Sequence, residues 1–224
     1  MSQVGCLIEQ GHLFLEISGT RWLVDTGSPL SCSPARTLAI AGQEHRLRPD
    51  LPGVRLDKLT ELVGSRVDGL LGTDVLRTVD LVIDTASGVA CASAEPMKCP
   101  GTEVPIRHVL GYPLLEAAID GVSRTFVFDT GAHLSYWQHE GLGRHPDAGT
   151  VRDFHPNHEP WETRTHRVPI AIGSTPKPIR CGTLPPLIGC AIGLLGAEGI
   201  LGIELLDGGP SGLFLGRDRI VLPD

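Results

Sequence analysis

The segment TFVFDTGAHLS, residues 125–135, decides the fold, because a closely similar segment, RWLVDTGSPLS, already stands at residues 21–31. In both copies a run of β-forming apolar residues stops at an aspartate, Asp25 or Asp129, and a Thr-Gly pair follows at once. A carboxylate at the end of a buried strand costs free energy, so we expect one there only where it has a task. The repetition therefore points to a shared task for the two aspartates.

Two further landmarks recur in the same order. DGLLGTDVL at residues 68–76 returns as EGILGIELL at residues 198–206. Each half also closes with a strand, a polar turn and a strand, at residues 80–92 and 212–222. Three landmarks in one order indicate an internal duplication, and we place its boundary in the Pro- and Gly-containing loop at residues 94–103.

The two aspartates lie 104 residues apart, so each copy occupies about half of the chain. We predict an N-terminal half, residues 1–97, and a C-terminal half, residues 98–224, that form one unit around a shared core, because either half alone would bury too little surface. The apolar stretches are short, β-branched or aromatic, and separated by turn residues. This pattern predicts an all-β fold with few short helices.

Local signals predict individual elements. Residues 13–25 and 113–129 are expected to form hairpins, the second with its turn at Asp120 and Gly121. A helix is predicted over residues 34–42, where a Ser-Pro pair offers an N-cap and a first-turn residue. Short helices are also expected directly after the LLG and ILG segments.

Composition limits the partners and the compartment. The 224-residue chain carries a net charge of -7, which disfavours nucleic acids and anionic membranes as partners. It has no apolar run long enough to span a membrane, and its N-terminus shows no secretory signal. Six cysteines without a CxxC pair favour a reduced, cytoplasmic setting, with a Cys91–Cys99 or Cys181–Cys190 bridge as the alternative.

Two carboxylates held together across a twofold axis cannot both ionise easily, so they share a proton and titrate as a unit. The charged member can then activate a water molecule as general base. The protonated member can protonate the oxygen of a scissile carbonyl group. Such a pair predicts hydrolysis without a covalent intermediate.

With DTGS at 25–28, DTGA at 129–132, LLG at 70–72 and ILG at 200–202, the sequence resembles the aspartic peptidases. Each half is similar in size to a retropepsin protomer, so the chain resembles two retropepsin-like units fused in tandem. The resemblance implies two acid-protease-like closed β-barrel halves, related by a pseudo-twofold axis around a shared cleft. It implies an endopeptidase that cleaves peptide or polypeptide substrates as a monomer and needs no cofactor or metal.

The resemblance also assigns roles within the two loops. It implies that Asp25 and Asp129 hold the catalytic water. It further implies that Thr26 and Thr130 exchange hydrogen bonds across the pseudo-twofold axis and lock the loops together. The LLG and ILG segments would pass beneath the loops as a buried support.

The next positions of the loops complete the implied site. Gly27 and Gly131 would let backbone N–H groups approach the carboxylates. Ser28 can donate a hydroxyl hydrogen bond to Asp25, whereas Ala132 has no hydroxyl group to offer. We therefore hypothesise that Asp25 carries more of the negative charge of the pair.

The interval from the aspartate to the final Gly of the ILG or LLG segment is 73 residues in the second half and 47 residues in the first half. We expect these extra residues to form the main flap hairpin, at about residues 150–172, with its tip near residues 155–160. Such a hairpin would exclude water and align the substrate. No tyrosine stands where pepsin-like enzymes carry their flap tyrosine, so Phe154 and Trp161 are the predicted substrate-binding residues of the flap.

Three features of the sequence allow other interpretations. His155, His158 and His166 could form a metal site, but their spacing matches no known ligand pattern and favours a solvated loop. Asp84 lies in an imperfect copy of the motif, IDTASG, and is predicted to lie in a hairpin turn. The alternative to an enzyme is a peptide-binding or regulatory module with the same fold and little or no turnover.

Overall fold

A computed structural model describes residues 1–173 and 175–224. Within these residues the chain forms eighteen strands and three short α-helices, so the predicted all-β class with few short helices is confirmed. The first half contains β1 (Ser2–Glu9), β2 (His12–Ile17), β3 (Thr20–Val24), β4 (Thr37–Ile40), β5 (Gln43–Arg46), α1 (Leu56–Val63), β6 (Gly69–Leu71), α2 (Thr73–Leu76), β7 (Asp80–Asp84) and β8 (Val89–Ser93). No helix in the described ranges is long and apolar enough to cross a membrane.

The second half repeats this order with a longer insertion. It contains β9 (Thr102–Val109), β10 (Tyr112–Ile119), β11 (Val122–Phe128), β12 (Ser135–Trp137), β13 (Asp147–His155), β14 (His158–Ile172), β15 (Thr175–Gly182), α3 (Pro186–Leu194), β16 (Gly199–Leu201), β17 (Ser211–Phe214) and β18 (Arg219–Leu222). A 3₁₀ helix, Ile203–Leu206, follows β16 where α2 follows β6. Short helices after the LLG and ILG segments are thus confirmed.

The duplication is visible in the order of the sheet strands. From the centre outward, one side runs β7-β8-β1-β2-β3-β6 and the other runs β17-β18-β9-β10-β11-β16. The two sides meet at the antiparallel pair β7–β17, where Leu81 lies opposite Leu213. The two halves are therefore equivalent copies joined into one continuous sheet, with the pseudo-twofold axis between β7 and β17.

Both halves bury their central strands on two faces. In β3, Trp22 and Val24 join the main core, whereas Leu23 joins a smaller cluster within the first half. In β11, Phe126 and Phe128 join the main core and Val127 joins a smaller cluster within the second half. Because alternate residues point to opposite faces, burial on both sides explains the continuous apolar runs before the two aspartates.

The predicted hairpins are confirmed. In the first hairpin, β2 pairs with β3 from Phe14 opposite Leu23 to Ile17 opposite Thr20. In the second hairpin, β10 pairs with β11 around the Asp120–Gly121 turn. Asp120 and Gly121 have φ angles of 53° and 78°. Two consecutive left-handed residues are what the tight turn of a two-residue hairpin requires. Asp84 also lies at a hairpin turn, because its carboxylate accepts hydrogen bonds from the N–H groups that follow β7.

The helix predicted over residues 34–42 is wrong. This segment contains β4 instead, which pairs with β5 through a turn at Ala41 and Gly42, whose φ angles are 53° and 77°. Leu38 and Ile40 are buried in the main core, whereas the residues between and before them are exposed. This alternation with a period of two outweighs the helix-start signal, because burial stabilises a segment more than a cap does.

All six cysteines are unpaired. Neither of the alternative bridges, Cys91–Cys99 or Cys181–Cys190, is formed. Cys6, Cys32 and Cys181 are buried, and burial raises the pKa of the Cys32 thiol to about 11. The buried thiols therefore behave as small apolar side chains.

Candidate active site

Equivalent backbone hydrogen bonds position Asp25 and Asp129. The N–H of Asp25 donates to the carbonyl oxygen of Leu71 at 2.9 Å, and the N–H of Asp129 donates to that of Leu201 at 2.9 Å. These bonds form because β6 runs parallel to β3 and β16 runs parallel to β11. The LLG and ILG strands, fully buried, therefore support the two loops from below.

The two carboxyl groups are hydrogen-bonded to each other on the floor of a cleft of about 360 Å³. A hydrogen bond between two carboxyl groups requires that one of them is protonated. Burial raises the pKa of both aspartates, and the neighbouring Asp129 charge raises the pKa of Asp25 further. The N–H of Gly131 donates to Oδ1 of Asp129 at 2.8 Å and lowers the pKa of Asp129. The two carboxyl groups therefore share one proton and titrate as a pair.

Thr26 and Thr130 join the two loops. The N–H of Thr26 donates to Oγ1 of Thr130 at 3.1 Å, and the N–H of Thr130 donates to Oγ1 of Thr26 at 2.9 Å. Each hydroxyl group donates in turn to a carbonyl oxygen of the opposite half, that of Phe128 or Val24. Both threonines are fully buried, so this closed network fixes the separation of the two aspartates.

Gly27 and Gly131 each lie against the aspartate of the opposite loop. A methyl group on Gly27 would overlap the carboxyl group of Asp129. On Gly131 it would lie 2.6 Å from Oδ1 of Asp25. Only glycine allows the two loops to approach so closely.

The hypothesis about Ser28 is wrong. The Ser28 hydroxyl group donates to the carbonyl oxygen of Leu30 at 2.8 Å and therefore does not donate to Asp25. Burial and the neighbouring Asp129 raise the pKa of Asp25 well above its ordinary value. Ser28 and Ala132 instead have equivalent backbone roles, since their carbonyl oxygens accept from the N–H groups of Thr73 and Ile203.

The hairpin β13–β14 occupies the place predicted for the flap, and its turn at Pro156 and Asn157 falls within the predicted tip. Phe154 packs against the apolar cluster of the first half, and Trp161 packs against that of the second half. Both side chains line the cleft. Gly53, in a short turn of the first half, lies against the side chain of Asn157. The flap therefore covers the cleft and touches the opposite half at its tip.

A buried polar cluster, absent from the sequence predictions, connects the flap to the body. Asp153 on β13 is 6 % exposed and accepts a hydrogen bond from the Tyr136 hydroxyl group. Nδ1 of His133 lies 3.4 Å from Oδ1 of Asp153. Burial raises the pKa of Asp153, and the nearby His133 lowers it. No sequence motif marks this cluster, because its members come from different elements.

The sequence predictions also missed His12. This side chain is 3 % exposed, and its Nδ1 lies 3.0 Å from the carbonyl oxygen of Gly131. Burial lowers the pKa of His12 to about 4, and the neighbouring His133 contributes to the shift. The β-hairpin turn before His12 matches the turn before Tyr112, so these two residues occupy equivalent positions in the two halves.

Apolar side chains surround the aspartates in two lobes of the cleft. The lobe formed by the first half is aliphatic and contains Leu23, Leu51, Val54, Leu59, Val63 and Leu70. The lobe formed by the second half includes aromatic rings and contains Tyr136, Trp161, Leu184, Ile188 and Ile200. An extended chain lying across the aspartates could place an apolar side chain in each lobe.

No protein-family model matches the chain, and no curated protein matches it.

Proposed function

We propose that the protein is an aspartic endopeptidase with two retropepsin-like halves in one chain. The observation that carries this proposal is the hydrogen-bonded pair of Asp25 and Asp129, held at equivalent ends of two buried strands beneath a flap. One proton shared between two carboxyl groups supplies an acid and a base at the same place. The two apolar lobes on either side match the needs of an extended peptide.

The proposed reaction uses the two aspartates in different roles. Asp129, as carboxylate, accepts a proton from a water molecule while the water oxygen bonds to the carbonyl carbon of the peptide. Asp25 transfers its proton to the carbonyl oxygen, which gives a neutral tetrahedral diol. A hydroxyl proton of the diol then returns to Asp25, the proton on Asp129 moves to the amide nitrogen, and the C–N bond breaks. The products are a carboxylic acid and an amine, and the pair regains its starting state.

The surrounding contacts support this chemistry. The threonine network holds both carboxyl groups in place before substrate binds, so little reorganisation is needed during the reaction. The flap covers the cleft and would exclude bulk water, which strengthens the electrostatic interactions of the pair. One chain supplies both halves, and we propose that a monomer is active. Six unpaired cysteines support the proposal of a reduced, cytoplasmic setting.

The test is cleavage of a diverse peptide mixture, followed by mass spectrometry from about pH 3 to about pH 8. Wild type is compared with Asp25→Asn and Asp129→Asn, and Asp84→Asn serves as the matched control in the imperfect motif. We expect cleavage by wild type and the control, and a loss of about 10²–10⁴-fold or more in the two dyad variants. Cleavage that survives in both dyad variants would overturn the mechanism. Peptide binding by folded wild type without any cleavage would assign the protein to the alternative class, a binding module.

A further inference from the structure

The helix α3 presents an apolar face to solvent. None of its residues is buried, and Leu187 and Leu194 are 75 % and 89 % exposed. Cys190 and Ala191 lie between them on the same side of the helix and are also exposed. These four side chains, at positions i, i+3, i+4 and i+7, form the surface that we call the α3 face. The opposite side of the helix carries Ile188, which lines the cleft.

The equivalent helix of the first half has a different outer side. Helix α1 precedes β6 as α3 precedes β16, and each helix lines one lobe of the cleft with its inner side. The exposed positions of α1 are Asp57, Lys58 and Glu61, which are all charged. The fold therefore accepts a charged outer side on this helix. It does not require the apolar character of the α3 face.

The chemistry of the α3 face limits what can cover it. Exposed apolar surface costs free energy in water and marks a site that another molecule covers. Residues 182–197 carry no charged side chain, so a charged partner would find no electrostatic complement there. Helices that lie on membranes carry Lys and Arg beside their apolar side and Trp or Phe within it, and α3 has none of these. A partner of the α3 face must therefore present an uncharged, apolar surface of its own.

A second copy of this chain meets that condition. Most protein dimers are related by a twofold axis, which brings a surface against itself. The chain has a net charge of -7, so two copies repel each other except where they meet through an uncharged surface. Cys190 and Ala191 are small and lie at the middle of the helix, so two α3 helices can approach closely there. In such an antiparallel pair, Leu187 of one copy would pack beside the partner's Leu194.

We propose that the α3 face is a self-association surface, through which two copies pair about a twofold axis near Cys190. A helix of this length extends about 14 Å, so the pair buries less than the about 800 Å² per partner of a standard interface. The dimer should therefore be weak, with a dissociation constant on the order of 10–100 µM. Each copy keeps its own dyad and cleft. The inference thus goes beyond the proposed function and does not depend on peptidase activity.

The test is sedimentation velocity of the full chain from about 5 µM to about 500 µM, a range that spans the expected dissociation constant. We expect wild type to pass from monomer to dimer across this range. A double variant, Leu187→Gln with Leu194→Gln, should weaken the association by at least about tenfold. Ile8→Gln, at an exposed apolar residue of the first half, is the matched control and should associate as wild type does. Wild type that stays monomeric, or a double variant that associates equally well, would overturn the proposal.

A second measurement uses wild-type protein and does not depend on the stability of any variant. A short bismaleimide joins two nearby thiols by alkylation, without oxidation. Because Cys190 is exposed at the middle of the α3 face, we expect cross-linked dimers joined from Cys190 to the partner's Cys190, identified by mass spectrometry. The half-buried Cys91 and Cys99 serve as internal controls. Dimers joined only through these two cysteines would refute a contact at α3.

Flotation with vesicles of neutral phosphatidylcholine tests a lipid surface as the competing occupant. We expect wild type to remain unbound. Vesicle binding by wild type that the double variant loses would assign the α3 face to lipid and overturn self-association. Peptide cleavage enters none of these measurements. A wild type without peptidase activity would contradict the proposed function, and sedimentation and cross-linking would still decide the role of the α3 face.

Discussion

Thr26 and Thr130 stand 104 positions apart in the sequence, yet each backbone N–H donates to the hydroxyl oxygen of the other. Each hydroxyl group also donates to a carbonyl group of the opposite half, so four hydrogen bonds close around the pseudo-twofold axis. All of them are shielded from water. The dyad geometry therefore depends on contacts between the halves and not on either loop alone.

Removal of one hydroxyl group from this network should destabilise the whole fold. Thr26→Ala leaves the N–H of Thr130 and the carbonyl oxygen of Phe128 buried without their partner. We expect the free energy of unfolding to fall by about 1–3 kcal/mol, measured by urea denaturation. Thr26→Ser keeps the hydroxyl group and should recover most of the loss. Thr37→Ala, at an exposed threonine, is the control and should change stability by less than about 0.5 kcal/mol. Equal stability of Thr26→Ala and wild type would contradict the structural role of the network.

Asp25→Asn should stabilise the fold at neutral pH. The pKa of Asp25 is raised in the folded state, first by burial and then by the charge of Asp129. A carboxyl group with a raised folded pKa favours folding while it is protonated, and this contribution is lost as pH rises from the unfolded pKa through the folded pKa. The asparagine variant avoids that loss, so its Tm should exceed that of wild type at pH 7.

The stabilisation should disappear in acid. Below about pH 3.9, the ordinary pKa of an aspartate, Asp25 is neutral in both states and the two proteins should have similar Tm values. In a chain of this size, each 1 kcal/mol of stabilisation at pH 7 should raise the Tm by about 2–4 °C. Asp84→Asn should show no such gain, because its turn hydrogen bonds lower the pKa of Asp84. A Tm difference for Asp25→Asn that is independent of pH would show that ionisation of Asp25 is not its cause.

Peptide cleavage should follow a bell-shaped pH profile. In the proposed mechanism one carboxyl group is ionised and the other is protonated, so the two limbs report the two ionisation steps of the pair. Burial raises the pKa of both, and both limbs should therefore lie above the titration range of an exposed aspartate. Measurement of kcat/KM against pH tests this directly.

Ser28→Ala should leave the acidic limb unchanged. The Ser28 hydroxyl group donates to the carbonyl oxygen of Leu30 at 2.8 Å. Its removal therefore takes no hydroxyl donor away from Asp25. A displaced acidic limb in Ser28→Ala would restore the earlier hypothesis that this hydroxyl group tunes the dyad. The profile of wild type, recorded with the same peptide, is the reference.

Tyr136→Phe should loosen the base of the flap. The tyrosine hydroxyl group donates to the buried Asp153 carboxylate, and its loss leaves that carboxylate with one donor fewer. We expect a loss of about 1–3 kcal/mol in the free energy of unfolding. We also expect a rise in KM with a smaller change in kcat, because Asp153 belongs to the flap and does not contact the dyad.

Asp153→Asn is the matched variant for this contact. It keeps an acceptor for Tyr136 and removes the buried carboxylate charge. Burial raises the pKa of Asp153, so this charge is unfavourable in the folded protein. It should therefore lose less stability than Tyr136→Phe. If KM stays at the wild-type value in Tyr136→Phe while stability falls, the contact supports the fold but does not hold the flap over substrate.

The sequence predicted the features that depend on local pattern or on repetition. The two DTG loops, the supporting LLG and ILG strands and the hairpin turn at Asp120 and Gly121 each have a signal within a few residues. The flap was predicted from a difference in length between the copies. Where two local signals conflicted, at residues 34–42, the prediction was wrong, because the burial of Leu38 and Ile40 selected a strand.

By itself, the sequence determined that this chain is a duplicated β protein with paired aspartates, because the duplication repeats both the strand periodicity and the residues that end each strand. Only the tertiary structure decided that the two carboxyl groups meet in a buried site, where the pKa of both is raised. That arrangement depends on contacts such as those between Thr26 and Thr130, which are 104 positions apart. Hydrogen bonding and desolvation act over a few ångströms in space. A pattern read along the chain therefore cannot show them until folding has brought the groups together.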